Sequence, residues 1–162
     1  MDTITLGISF STRMLGLAMF KENTLMDYYL KLNKAKWSDN KQELILASLA
    51  SCLLHYAITQ IVIVIPDKHC QTDEFNKLLS AIQSFFEDHN VPIMLYQAKE
   101  VYTAFGSPLK RTRHSLMKRM ILFYPELEKY YSKELENKNK YYVKLFEAVA
   151  VAGYHWLNQN QK

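Results

Sequence analysis

Ile4–Phe20 reads ITLGISFSTRMLGLAMF, and its pattern decides the fold. Apolar residues at Ile4, Leu6, Ile8 and Phe10 run into a polar Ser11-Thr12-Arg13 break, after which Leu15, Leu17, Met19 and Phe20 resume. That is the pattern of a strand, a tight turn and a returning strand. Gly7 and Gly16, one in each arm, mark points where the backbone needs close approach or the freedom of a bulge. A third strand is predicted over Leu25–Leu32 after the Lys21–Thr24 turn, so the chain opens as an antiparallel meander.

Working outward, Asn40–Ile58 has helical spacing in Leu44, Ile45, Leu49, Leu53, Leu54 and Ala57, which predicts a helix lying on the sheet through those residues. Gln60–Pro66 (QIVIVIP) is an unbroken β-branched run, as in a parallel strand buried on both faces and stopped by proline. Asp73–His89 follows as a helix with Thr72 as N-cap, acids in its first turn, and one stripe of Phe75, Leu78, Leu79, Ile82, Phe85 and Phe86. Val91–Gln97 gives a last strand. Lys99–Phe105, Arg113–Tyr124 and Tyr141–Leu157 read as helices, with a Gly106-Ser107-Pro108 break after the first. Glu126–Lys140 reads as a solvated connection. The order βββαβαβ followed by helices describes an α/β protein: a mixed five-stranded sheet, three strands antiparallel and then two parallel, flanked by helices. No repeat or Pro/Gly-rich linker interrupts it, so one domain is expected over residues 1–162.

At 162 residues and 49% apolar, the chain has material for a real core, which sets it apart from disordered segments. Cys52 and Cys70 fit neither a disulfide framework nor metal-ligand spacing, and no apolar run reaches the length of a membrane span. A cytoplasmic protein without a membrane segment is the expectation. The net charge of +4 is unevenly spread. Between Ala98 and Pro125 stand Lys99, Lys110, Arg111, Arg113, Lys118 and Arg119 against Glu100, so the positive excess belongs to this segment, as in a surface that meets polyanions. Lys110, Arg111, Arg113, His114, Lys118 and Arg119 are the candidate nucleic-acid contacts, lying on a loop and the start of a helix, where N–H groups add to phosphate attraction. The adjacent tyrosines Tyr28-Tyr29, Tyr130-Tyr131 and Tyr141-Tyr142 read as core and rim.

Three segments together resemble the RuvC-type Holliday junction resolvases of the RNase H-like superfamily. GISFSTRMLGLAMF is similar to the family's opening G-I-D-x-G-x-x-x-x-G hairpin, FGSPLKRTRHSLMKRMI to its basic loop and helix, and EAVAVAGYHW to its terminal D-A-x-A-x-A-x-x-H helix. The resemblance implies DNA as partner, a possible homodimer, and hydrolysis by two Mg²⁺ about 3.5–4 Å apart, held by acids of the first strand, the fourth strand and the last helix. Here the first-strand acid is replaced by Ser9. The fourth strand offers Asp67, one or two residues late. The last helix keeps Glu147, while its extra ligand position holds Lys144, which at i, i+3 is expected to pair with Glu147. His155 repeats a family position, and His69 is a weaker ligand candidate.

Ser9, as a strand-end serine, is expected to bond its hydroxyl to backbone. Glu147 and Asp67 are what remains of a catalytic and metal-binding set, and the ligand charge is too small for two divalent ions. The leading reading is a RuvC-like DNA-binding protein impaired as a nuclease and needing no cofactor. Two alternatives stand beside it: an active Mg-dependent, structure-selective endonuclease using Asp67 and Glu147, and a protein-interaction scaffold. An actin-like nucleotide-binding half opens with a similar hairpin, but the phosphate loop here lacks its Asp and Gly.

Overall fold

In the computed structural model, which describes residues 2–32, 38–106, 112–136 and 141–160, the opening hairpin lies at the centre of the sheet. Strand β1 (Ile4–Phe10) pairs antiparallel with β2 (Met14–Lys21), and β2 with β3 (Thr24–Leu32). On its other side β1 pairs in parallel with β4 (Gln60–Ile65), and β4 with β5 (Ile93–Gln97), giving the order β3-β2-β1-β4-β5. The mixed five-stranded arrangement is therefore the one the sequence pattern implies.

Helices cover both faces. On one face α1 (Asp39–His55) and α2 (Asp73–Asp88) pack over Leu6, Ile8, Ile61 and Ile63. On the other lie α3 (Ala98–Phe105), α4 (Arg113–Phe123), α5 (Glu128–Glu136) and α6 (Val143–Asn160), over Ala18, Phe20, Val62 and Val64. The alternation along β4 sends Ile61, Ile63 and Ile65 to one layer and Val62 and Val64 to the other, so the β-branched run is buried twice over.

Helix α6 lies very close to the hairpin. A Cβ on Gly7 would collide with the Ala148 carbonyl oxygen and lie 3.1 Å from the Ala152 Cβ. One on Gly16 would collide with the Lys144 carbonyl oxygen. Because Gly16 pairs with Ser9 in the β1–β2 ladder, the helix turn bearing Lys144 and Glu147 is pressed onto the strand position that holds Ser9. Small residues on both sides thus fix the register of the helix against the hairpin.

Three expectations need correction. Over its described residues the run Glu126–Lys140 is not a plain solvated connection: a 3-10 turn at Pro125–Leu127 buries Leu127 and leads into α5, which buries Tyr131 and Glu134, at i, i+4, i+7, while residues 137–140 lie outside the described residues. The Glu134 carboxylate accepts from the Tyr142 backbone N–H at 3.0 Å, where a negative charge complements the start of α6. On α1, Leu44 (55% exposed) and Leu54 (85% exposed) do not face the sheet, and the helix ends at His55. Ile45, Leu49 and Cys52 face it, together with the stem of Lys41. Finally, β5 begins at Ile93, after Pro92, whose carbonyl accepts from Ile61 N. Among the described residues no helix is long and apolar enough to cross a membrane.

Candidate functional site

Ser9 is 1% exposed, on the β1 face that α6 covers. Its hydroxyl does not bond to backbone, contrary to the expectation for a strand-end serine. It donates to Glu147 Oε1 at 2.8 Å. The reason is positional: the glycine contacts bring the first turn of α6 so close that the carboxylate lies within reach of the strand. Lys144 Nζ donates to the same Oε1 at 3.0 Å, and the Tyr102 hydroxyl of α3 donates to Oε2 at 2.7 Å. Glu147, 8% exposed, is thus a buried carboxylate with three donors, one of them cationic. Its burial is offset by an ion pair and by bonds to both oxygens.

Tyr102 was hidden from sequence reasoning. It sits beside Val101 in a short helix and looks like one more rim aromatic. Its hydroxyl is held far above the ordinary phenol range, chiefly by burial, then by the Glu147 charge and the hydrogen bond to it; the positive charge of Arg113 opposes this in part. Tyr102 is therefore a proton donor to Glu147 throughout the physiological range, and Arg113 lies close enough to act on the same cluster.

Asp67 is not in the cluster. It is exposed in the turn after β4, at the cap position of a 3-10 turn (Lys68–Cys70), with no side-chain cap bond. β4 ends at Ile65, so Asp67 lies past the pleat, and the groups bonded to Glu147 among the described residues are Ser9, Lys144 and Tyr102. His69 is exposed in the same turn. His155 is two turns along α6 from Glu147; its Nδ1 meets the Tyr96 hydroxyl at 2.6 Å, and burial pushes its pKa down. Among the described residues no three or more His, Cys, Asp or Glu side chains converge so as to hold a metal ion. The donors beside Ser9 amount to one carboxylate, already bonded on both oxygens, next to an ammonium. That set does not fit a pair of divalent cations, which need several anionic oxygens.

The basic residues divide. Lys118 and Arg119 are exposed on α4, and the Arg119 guanidinium lies 5.8 Å from the Phe123 ring centre. His114 is half-buried, and its Nδ1 is shielded without a partner among the described residues. Arg113, also half-buried, belongs with the Tyr102–Glu147 cluster. The helix start itself is held by a reciprocal Thr112–Ser115 capping box. Lys110 and Arg111 lie outside the described residues.

No family model matches the sequence, and no curated protein is detectably similar to it. The solved structures are informative. Thermus thermophilus RuvC superposes with a TM-score of 0.72, covering 98% of this chain and 97% of its own at 13% identity. The same protein in complex with Holliday junction substrate gives 0.71 at 14% identity, covering 98% and 96%. The chain has the RuvC fold. The yeast mitochondrial Holliday junction resolvase Ydc2 shares that fold more loosely, with a TM-score of 0.57 at 15% identity over 97% of this chain and 80% of Ydc2. Ser9 and Lys144, the two residues that the sequence resemblance sets at acidic positions, both donate to Glu147 here.

Proposed function

We propose that this RuvC-fold chain is a DNA-binding protein that grips branched or duplex DNA through its backbone, without the two-metal chemistry of a resolvase. The observation that carries this reading is the 3.0 Å contact of Lys144 Nζ with Glu147 Oε1, beside the Ser9 hydroxyl. An ammonium stands where the family resemblance expects a further acidic ligand. It neutralises the Glu147 carboxylate and supplies neither Lewis acidity nor a metal-bound nucleophile. Arg113, with Lys118 and Arg119 on α4, provides the positive field, and Lys110 and Arg111 add to it in sequence. Support for DNA as the partner comes from the shared fold with a protein seen bound to a Holliday junction. The role would be in DNA recombination or repair, in the cytoplasm, as one domain over residues 1–162 that pairs into a homodimer.

Contacts of this kind recognise shape and charge, so affinity should fall steeply with salt. A gel-shift series on four-way junction, flap and linear duplex DNA tests the reading. Binding at low salt, strongest for the junction and lost as salt rises, is expected. Absence of binding to all three at low salt would defeat it and favour a protein-interaction scaffold.

A further inference from the structure

The layer opposite Glu147 holds a second cationic feature. Arg13, Lys31 and Lys41, with Thr12, Ser48 and an apolar floor, line a cleft of about 170 Å³ between the hairpin, β3 and α1. All three cations come from the end of the sheet where Ser9 lies. Arg13 is in the β1–β2 turn, Lys31 pairs with Leu15 one rung beyond the Ser9–Gly16 pair, and Lys41 is in the first turn of α1.

The turn is preset. Ser11 Oγ accepts from the Arg13 and Met14 backbone N–H groups at 3.2 Å each, and Ser11 N donates to the Met14 carbonyl at 2.8 Å, holding exposed Arg13 at the rim. Lys31 Nζ donates to Ser48 Oγ at 2.8 Å, which places its charge over the cleft. None of the lining residues is acidic, and the Asp39 carboxylate in the same turn of α1 is engaged by Lys77 at 3.3 Å. Lys41 is 2% exposed, and its pKa is pushed down by burial and then by the Arg13 charge. Cations drawn together in a concave, partly desolvated place gain from an anion set among them.

We propose that Arg13, Lys31 and Lys41 form a second phosphate-binding cleft, which takes the phosphodiester backbone of a nucleic-acid strand on the side of the sheet opposite Glu147. The inference rests on the nucleic-acid reading above. A strand is the occupant rather than an acidic peptide because the positive charge does not stop at the cleft. Past Arg13, on the other layer, Arg113 acts on Tyr102, which bonds Glu147 beside Ser9, so a repeating polyanion crossing that sheet end meets a further positive group.

The test is the salt dependence of four-way junction binding, followed by fluorescence anisotropy. It compares the wild type, an Arg13→Gln/Lys31→Gln variant at two exposed positions, and a Lys129→Gln/Lys133→Gln variant of equal charge on α5. The cleft variant should bind more weakly, with a log–log salt slope shallower by roughly 2, since each phosphate contact contributes about 0.9; the α5 variant should keep the wild-type slope. If the wild type binds but the cleft variant retains its affinity and slope, the cleft is refuted while the nucleic-acid reading stands. Equal losses in the two variants would reduce the effect to net charge and refute the cleft as well. A wild type that binds no DNA removes both.

Discussion

The Ser9 hydroxyl donates to the Glu147 carboxylate at 2.8 Å, joining residues 138 positions apart in a buried bond. Lys144 and Tyr102 complete the set of donors around that carboxylate. A charge so enclosed depends on its partners, and that dependence can be measured.

Replacing Lys144 with Met leaves Glu147 without its counter-ion while most of its surface stays out of water. A loss of about 1–3 kcal/mol in unfolding free energy is expected, discounted from a fully buried pair because the Lys144 side chain remains 21% exposed. Adding Glu147→Gln should recover part of it. Urea denaturation of the two singles and the double closes the cycle; strictly additive losses would mean that the two groups do not interact.

Tyr102→Phe removes a single donor and no carbon. The expected cost is about 1 kcal/mol, with no change of fold. Since the hydroxyl is held well above the ordinary phenol range, ultraviolet titration should show one fewer late-titrating tyrosine in Tyr102→Phe than in the wild type, where Tyr28, Tyr29, Tyr56, Tyr96 and Tyr124 are also pushed up.

How much of this was legible from residues alone depends on what carries each contact. The strands of the mixed sheet were legible because they announce themselves by period: alternation in the hairpin, an unbroken β-branched run in β4. The pairing of Lys144 with Glu147 was legible because i, i+3 spacing is local. Ser9 and Tyr102 converge on Glu147 from elements far apart in the chain, and nothing local signals that. By sequence alone Ser9 looks like a serine bonded to backbone and Tyr102 like a rim aromatic. The α5 helix is a different case: Leu127, Tyr131 and Glu134 do repeat at helical spacing, but the dense charge around them hid the stripe. On α1, Leu44 and Leu54 have the hydrophobicity of core residues and the angular position of surface ones; only the packed helix shows which governs.

The approach of α6 to the hairpin yields a packing prediction. Gly16→Ala would put a methyl group against the Lys144 carbonyl, a backbone atom that cannot rotate away. A loss of about 1–3 kcal/mol is expected, seen as a lower Tm. An unchanged Tm would show that α6 can lift off the hairpin without penalty.

His155 predicts a pH dependence. Burial lowers its folded pKa below the ordinary 6.5, so between the two values the unfolded chain binds the extra proton. The stability this neutral histidine provides is complete above about pH 6.5 and is lost as pH falls through that value toward the folded pKa. Thermal melts from pH 7.5 down to 5 should show a smaller fall in Tm for His155→Gln than for the wild type. Parallel curves would exclude His155 as a source.

The most direct measurement is single-turnover incubation of the wild-type protein with end-labelled four-way junction DNA in Mg²⁺ and in Mn²⁺, under conditions where the complex is seen to form. Bound and uncut DNA is the expected result, because both oxygens of the Glu147 carboxylate are already engaged by Ser9, Lys144 and Tyr102. Metal-dependent cleavage that disappears in Glu147→Gln would contradict it.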